Sequence, residues 1–382
     1  MPTVERFFEP PLGHFFLLGP RGTGKTTWLR QRFAGAVWVD LLDPGEERRY
    51  TARPERLREV VAGRPESTVV IDEVQRVPSL LPVVHQLIEE RIGSRFVLTG
   101  SSARKLKREG VDLLAGRAVV RSLHPFMASE LGEAFDLERA LTLGLLPIVL
   151  DAGDPDDTLG AYVGLYVQEE VRAEGLVRNL EGFHRFLEAV SFSHGAVLNL
   201  AAVSRECQVS RNTAEGHLTV LEDLLLAFRL PVFTRRAQRQ PTGHPKFYWS
   251  DTGIFRSLRP AGPLDRPEEI SGAALEGLVA QHLRAWLDYS RSAARLYFWR
   301  TRAGSEVDFV VYGPGLFCAV EVKHAARVRR EDLRSLRTFG HDYPDADLRL
   351  LYRGRETLEI DGVRCLPCEE LLAGLVPGEG LP

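Results

Sequence analysis

From the first residues to about position 150, short apolar runs alternate with amphipathic stretches. The runs are Phe15 to Leu18, Val37 to Leu41, Val69 to Ile71 and Phe96 to Thr99. Runs this short, separated by helix-length segments, predict parallel strands covered by helices. From about 155 to 260 the period becomes mostly helical, as in Tyr162, Leu165, Tyr166 and Glu169. The segment Arg259-Pro-Ala-Gly-Pro-Leu-Asp-Arg-Pro267 is dense in proline and glycine and predicts a linker, after which a helix and three strands are expected. No motif recurs at the period of about 20 to 50 residues that marks a solenoid or propeller. The pattern thus predicts an α/β chain in three parts, with boundaries at 1–150, 151–264 and 265–382.

Composition narrows the class. The chain has 382 residues, 44% hydrophobic and 26% charged, which excludes global disorder and a fibrous architecture. A net charge of -3, from 49 basic and 52 acidic residues, argues against coating nucleic acid by bulk charge and leaves room only for a local basic face. Four cysteines are too few to staple a chain of this length, and the start MPTVERFFEP lacks a secretory pattern, so a reducing cytoplasm is expected. The longest apolar run, Leu143 to Leu150, contains Gly144 and Pro147 and falls short of the roughly 18 residues of a membrane span. Cys365-Leu-Pro-Cys368 has redox-motif spacing but no second pair to complete a zinc site, and reads as structural. Only Lys25, Lys105, Lys107, Lys246 and Lys323 are lysines, leaving 44 of the 49 basic residues as arginine. Each lysine therefore stands out.

Gly19-Pro-Arg-Gly22-Thr23-Gly24-Lys25-Thr26 fits the phosphate-loop spacing GxxxxGK[ST], directly after the strand Phe15 to Leu18 and before the helix-forming run Thr26 to Phe33, which includes Thr27. Glycines let successive N–H groups face inward, and the helix N-terminus favours phosphate. Lys25 would reach the β and γ phosphates of ATP and Thr26 would hold Mg²⁺ through its hydroxyl. Val69-Val-Ile-Asp72-Glu73 ends a strand in two carboxylates: Asp72 for the metal and its water, Glu73 to polarise the attacking water. Thr99-Gly-Ser101-Ser102 places hydroxyls at the next strand end, with Ser101 as a γ-phosphate sensor or simply part of a polar turn. Arg117, after Gly116, is either an arginine finger for the same or a neighbouring nucleotide, which would imply self-association, or a solvated side chain.

In the second part, Leu200 to Thr213 reads as a helix, a tight turn and a second helix capped by Ser210. Its outward positions Arg211, Asn212, Thr213 and His217 would face DNA. Residues 229–250 carry five Lys or Arg and no acid, with Arg235, Arg236, Arg239 and Lys246 forming the basic wing of a winged helix. Such folds also serve as docking and spacer modules. Phe247-Tyr248-Trp249 reads as strand core.

In the third part, a helix from Ala274 to Leu287 carries Glu276, and two strands carry Glu306-Val-Asp308 and Glu321-Val-Lys323. Alternation puts Glu321 and Lys323 on one side. Asp308 and Glu321 are candidate Mg²⁺ ligands, with Lys323 orienting or deprotonating the nucleophile. Arg300 and Arg302 just upstream are either phosphate contacts or solvated. The alternative is a fold retained without its chemistry.

Read together, GPRGTGKT, VVIDEVQ, VLTGSS, LAGR before His124-Pro-Phe, LEDLLLAFRLP, PKFYWSDTG, EVDFVV and AVEVK resemble the prokaryotic AAA-type (AAA_14) ATPases that end in DUF4143, a module similar to PD-(D/E)xK nucleases. The resemblance spans nearly the whole chain. It implies a P-loop NTPase parallel sheet, then a helical winged-helix domain, then an α/β nuclease-like domain. With the motifs above, ATP and Mg²⁺ are the expected cofactors and DNA of duplex or branched form the expected partner, and the short apolar runs lead to no expected membrane association. By the same resemblance Gly22, Gly24, Lys25 and Thr26 contact nucleotide, Asp72 and Glu73 serve hydrolysis, and Glu276, Asp308, Glu321 and Lys323 form the nuclease-like centre. Two activities follow as expectations: an ATPase that controls a Mg²⁺-dependent nuclease, or a nucleotide-dependent switch whose nuclease-like domain is inactive.

Overall fold

The computed structural model describes residues 4–100, 113–166, 179–234 and 243–382. It turns the four apolar runs of the first part into strands β1 (Phe15–Leu18), β2 (Val37–Asp40), β3 (Thr68–Asp72) and β4 (Arg95–Gly100), joined by β5 (Val119–Ser122). All five are parallel, in the order β2-β3-β4-β1-β5. The strand β5 escapes a search for apolar runs because it is an edge: Val119 and Val120 are both 40% exposed and an arginine follows them. By contrast β1 is buried at every position, as a central strand covered on both faces must be. Phe16, Leu18, Val39, Ile71, Val84 and Leu98 belong to one apolar core, in which Val84 comes from the helix Leu80–Glu89. Since β4 lies between β1 and β3, and Leu18 pairs with Gly100 while Ile71 pairs with Leu98, the carboxyl ends of these three strands finish side by side. That edge is where open parallel sheets bind ligands.

These residues belong to the first of two compact units, Phe8–His124 with Glu222–Leu225; the second comprises the residues before Phe8, Pro125–Leu221 and Leu226–Pro382. The middle and C-terminal parts of the sequence thus fall within one unit. It contains the helix Leu180–Ser191, the helix Leu200–Glu206 followed by a helix that starts at Arg211, and a small antiparallel sheet of β6 (Ala196–Val197), β7 (Ala227–Leu230) and β8 (Lys246–Trp249), ordered β6-β8-β7. The linker ends in the long helix Pro267–Tyr289. A mixed sheet follows, built from β9 (Arg295–Arg300), β10 (Glu306–Gly313), β11 (Leu316–Lys323), β12 (Asp347–Tyr352), β13 (Leu358–Ile360) and β14 (Val363–Pro367), in the order β13-β14-β12-β11-β10-β9.

Two features bind the small sheet to the large one. After β7 the chain runs along β9, with Phe298 donating its N–H to Pro231 and Phe233 donating its own to Phe298. Phe233 then enters the large sheet's core among Trp299, Val310, Phe339 and Tyr352. The second feature is Lys246, described below. Among the described residues, no helix is long and apolar enough to cross a membrane. Cys365 and Cys368 are buried, unlinked thiols, pushed up to about 11 and about 12 by burial, which agrees with a structural role.

Asp251, fully enclosed, caps the helix Thr252–Leu258 by accepting from Gly253 and also accepts from Leu145 N–H at 2.7 Å. A Cβ on Gly144, whose φ is +74°, would lie 1.9 Å from the Asp251 carboxylate, so only glycine fits there. Burial raises the Asp251 carboxyl to about 6 despite these N–H donors. The folded state therefore holds this proton more tightly than the unfolded chain, and the stability it contributes is full below about pH 4 and lost as pH rises through about 6. Asp251→Asn keeps an acceptor oxygen but no charge, and is expected to remove on the order of 2 kcal/mol of the fall in stability between about pH 4.5 and 7. Denaturant midpoints at the two pH values check this, and a slope equal to that of the unaltered protein contradicts it.

Candidate functional site

The loop Gly19–Gly24 leads from β1 into the helix Lys25–Arg32. Gly22 and Gly24 have φ of +81° and +83°, in the left-handed region, and a Cβ on Gly19 would come within 2.5 Å of the Leu123 carbonyl. Thr23 is buried and ties its hydroxyl to Pro20 O at 2.8 Å, while Thr27 is exposed. Lys25 is buried, and its Nζ donates to Gly19 O at 2.7 Å and to Pro20 O at 3.1 Å. Backbone oxygens of the loop thus fix the ammonium beside Gly19 and Pro20.

Thr26 Oγ1 donates to Asp72 Oδ2 at 2.8 Å, bringing together the two side chains expected to hold Mg²⁺. Hydroxyl and carboxylate oxygens at this separation form a hard-donor pair that fits Mg²⁺, which keeps several waters of its own. Asp72 is fully buried at the end of β3, and its other oxygen accepts from Thr99 of β4. Thr99 Oγ1 in turn accepts the Glu73 N–H at 2.9 Å. Glu73 takes a left-handed conformation, φ 58°, and accepts from the Gln75 amide. Thr99, quoted only as part of a motif, is thus the residue that fixes both carboxylates. Ser101, the sensor candidate, lies outside the described residues. Arg117 forms an ion pair with Glu89 at the end of the helix Leu80–Glu89, and its hydrogen bond lowers the Glu89 carboxyl.

In the second unit, Ser210 caps the helix that begins at Arg211, its Oγ accepting from Thr213 N–H at 3.1 Å, and Gln208 makes the tight turn with φ 55°. Arg211, Asn212 and Thr213 are exposed. His217 is not. It is 6% exposed, its ring lies 5.1 Å from Phe183 and 5.2 Å from Phe186, and burial lowers its pKa. His217 sits one turn after Thr213, but the aromatic face of the helix Leu180–Ser191 claims it for the core, which corrects its assignment as an outward DNA contact. Arg229 pairs with Glu215 at 3.0 Å rather than standing alone in a basic wing. Arg235, Arg236 and Arg239 lie outside the described residues.

The largest departure concerns Lys246. It was expected in the basic wing, yet its side chain is 1% exposed and its Nζ lies 2.7 Å from Glu306 Oε1, 3.0 Å from Glu276 Oε1 and 3.1 Å from Asp308 Oδ1. Tyr248, two residues on and on the same face of β8, donates to Glu276 Oε1 at 2.6 Å. Asp308 sits where the pairing of β10 with β9 shifts between Val307 and Val310, an irregularity that re-aims a side chain. Its Oδ2 accepts the Val322 N–H at 2.9 Å. Glu321 and Lys323 do share a side, as alternation requires, and bond to each other at 2.6 Å. The second oxygen of Glu321 is buried without a hydrogen-bond partner.

Burial alone would lower the Lys246 pKa, but Asp308 and Glu276 hold it well above the usual lysine value. Burial, then Asp308, pushes Glu276 up to about 7 and Glu321 up to about 8. Four of the expected residues, Glu276, Asp308, Glu321 and Lys323, thus converge. The environment differs from the expected Mg²⁺ pair: no group of three or more His, Cys, Asp or Glu able to hold a metal occurs among the described residues. Asp308 has both oxygens engaged, one of them by an ammonium. The arrangement does not fit Mg²⁺ between Asp308 and Glu321. Arg300 approaches Glu306 at 3.6 Å and Arg302 is exposed. Lys246, Tyr248 and Glu306 were missed as members of this centre. The available signal was a lysine inside the apolar strand Lys246–Trp249, together with Glu306 two residues before Asp308 on a strand.

Comparison with known proteins agrees with this architecture. The family model described as an AAA domain matches residues 13–132, a domain of unknown function (DUF8612) matches 134–265, and another (DUF4143) matches 271–371. The uncharacterized protein Rv2008c of Mycobacterium tuberculosis is 28% identical over 367 residues, covering 93% of this chain and 80% of its own. The uncharacterized protein Mb2031c of Mycobacterium bovis matches equally, at 28% over 367 residues. The crystal structure of protein VC1899 from Vibrio cholerae aligns over 94% of this chain and 96% of its own at 12% identity, with a TM-score of 0.21, too low to carry a structural argument. The chain thus carries an AAA domain at residues 13–132 and a DUF4143 domain at residues 271–371.

Proposed function

We propose that this nucleotide-binding protein hydrolyses ATP and uses the reaction as a switch on DNA, with its nuclease-like domain serving as scaffold. The observation that carries the hydrolytic reading is the chain of hydrogen bonds from Thr26 through Asp72 and Thr99 to Glu73. It joins the phosphate loop to the residue best placed to act on water. Mg²⁺, when bound with ATP, would be held by Thr26 and Asp72 and would offset charge on the phosphate oxygens. Backbone N–H groups of Gly22 to Thr26 cradle the phosphates, and Lys25 exchanges its loop carbonyls for phosphate oxygens. Glu73, fixed through its own N–H on Thr99, orients the attacking water and accepts its proton.

The DNA reading is supported by the exposed first turn Arg211, Asn212 and Thr213, since the N-terminal residues of the second helix of such a motif are the ones that meet base edges and phosphates. With the sheet β6-β8-β7 behind it, the motif reads as a winged helix. Arg235, Arg236 and Arg239 add positive charge in the sequence between β7 and β8. A second reading, a Mg²⁺-dependent nuclease using Asp308, Glu321 and Lys323, is disfavoured by the ammonium of Lys246 against Asp308.

Two sets of variants test the proposal. Glu73→Gln is expected to lower phosphate release by about 100-fold or more while nucleotide binding is retained, and Lys25→Ala to lose binding itself. Full phosphate release by Glu73→Gln contradicts the hydrolytic role. For DNA, Arg211→Ala is expected to weaken binding and to reduce the slope of log affinity against log salt by about 1. His217→Ala is instead expected to cost about 1–3 kcal/mol of stability and leave that salt slope unchanged. Fluorescence anisotropy on duplex and branched DNA over a salt series separates the two, and an Arg211→Ala protein that binds both forms unchanged removes the DNA reading.

A further inference from the structure

We propose that the ammonium of Lys246 is the resident cation of the C-terminal acidic centre, and that this centre becomes a divalent-metal site only when the ammonium is removed. Three carboxylates from two elements, Glu276 on the long helix and Glu306 and Asp308 on β10, converge on one Nζ within 3.1 Å. The lysine arrives from a third element, β8, and its side chain is 1% exposed. A metal ion bonds a carboxylate oxygen at about 2.0–2.6 Å, so an ion on Asp308 Oδ1 would stand within a few ångströms of a fixed positive charge.

The remaining oxygens show that the centre is organised around the ammonium. Asp308 Oδ2 is taken by the Val322 N–H, and Glu276 Oε1 takes both Lys246 and the Tyr248 hydroxyl. Glu321 has one oxygen on Lys323 rather than on Lys246, and its other oxygen is buried with no hydrogen-bond partner. The oxygens of Glu276, Glu306 and Asp308 do not form a metal-binding group as placed, but with the ammonium gone they would be free to draw together around Mg²⁺ or Mn²⁺, hard ions suited to carboxylate oxygens. This deepens the scaffold reading of the C-terminal domain and rests on it, but it is independent of ATP turnover, so a failed ATPase test leaves it standing.

Manganese titration of the full chain without nucleotide, followed by electron paramagnetic resonance, tests it. Asp308→Asn is expected to leave the number of bound Mn²⁺ unchanged, because the site holds none. Lys246→Ala is expected to gain one Mn²⁺ per chain, and Lys246→Ala with Asp308→Asn to lose it again. Loss of an ion from the unaltered protein through Asp308→Asn overturns the inference, as does a folded Lys246→Ala protein that gains nothing. Should either variant fail to fold, the unaltered protein still decides the matter. Its ¹⁵N-lysine spectrum should show the ammonium of Lys246, assigned through its own side-chain carbons, protected from exchange and unbroadened by millimolar Mn²⁺. Paramagnetic broadening of that signal contradicts the proposal.

Discussion

An ammonium enclosed by carboxylates is the interaction on which the second unit depends. Isolating such a charge from water is prohibitive unless it is paired, and removing one partner of a buried ion pair typically costs about 3–5 kcal/mol. Lys246 satisfies this condition only with β8 seated against both the long helix and β10. The middle and C-terminal parts of the chain are therefore held together by charge, and Phe233 adds an apolar anchor in the core of the large sheet. A chain whose motifs suggest three parts folds into two compact units, and these contacts lie inside the second.

The same side chain serves opposite ends in the two units. Lys25 is bound by carbonyl oxygens of its own loop, which orient its ammonium within the phosphate-loop motif. Lys246 is bound by carboxylates, and its charge is consumed within the protein. Arginine would serve poorly in both places, because a planar fork cannot enter a narrow loop or point at three oxygens converging on one atom. Lys25 and Lys246 thus stand where a compact cation suits the surroundings, while Lys105 and Lys107 lie outside the described residues.

Much of this was legible in the sequence, and the limits have physical causes. The phosphate loop, the paired acids after β3 and the cap at Ser210 are local arrangements, in which spacing along the chain equals spacing in space. The strands of the first sheet were readable because both faces are buried, whereas β5, an exposed edge with an arginine, carried no such signal. His217 and Lys246 were misplaced for a common reason. Each is polar and each lies in a segment whose local pattern points outward, but partners distant in sequence, Phe183 and Phe186 for one and Glu276, Glu306 and Asp308 for the other, draw it inside. Charge counting along 229–250 could not reveal that the acids neutralising Lys246 come from other elements.

On the proposed function the two units divide the chemistry, with metal-assisted hydrolysis assigned to the phosphate loop and a protein-borne cation in the acidic centre. The most direct test is anomalous diffraction at the manganese edge from crystals of the full chain grown with Mn²⁺ and a non-hydrolysable ATP analogue. A peak is expected beside Thr26 and Asp72 and none among Glu276, Glu306, Asp308 and Glu321, with Lys246 still in place. A peak bridging Asp308 and Glu321, with the Lys246 ammonium displaced, would contradict it.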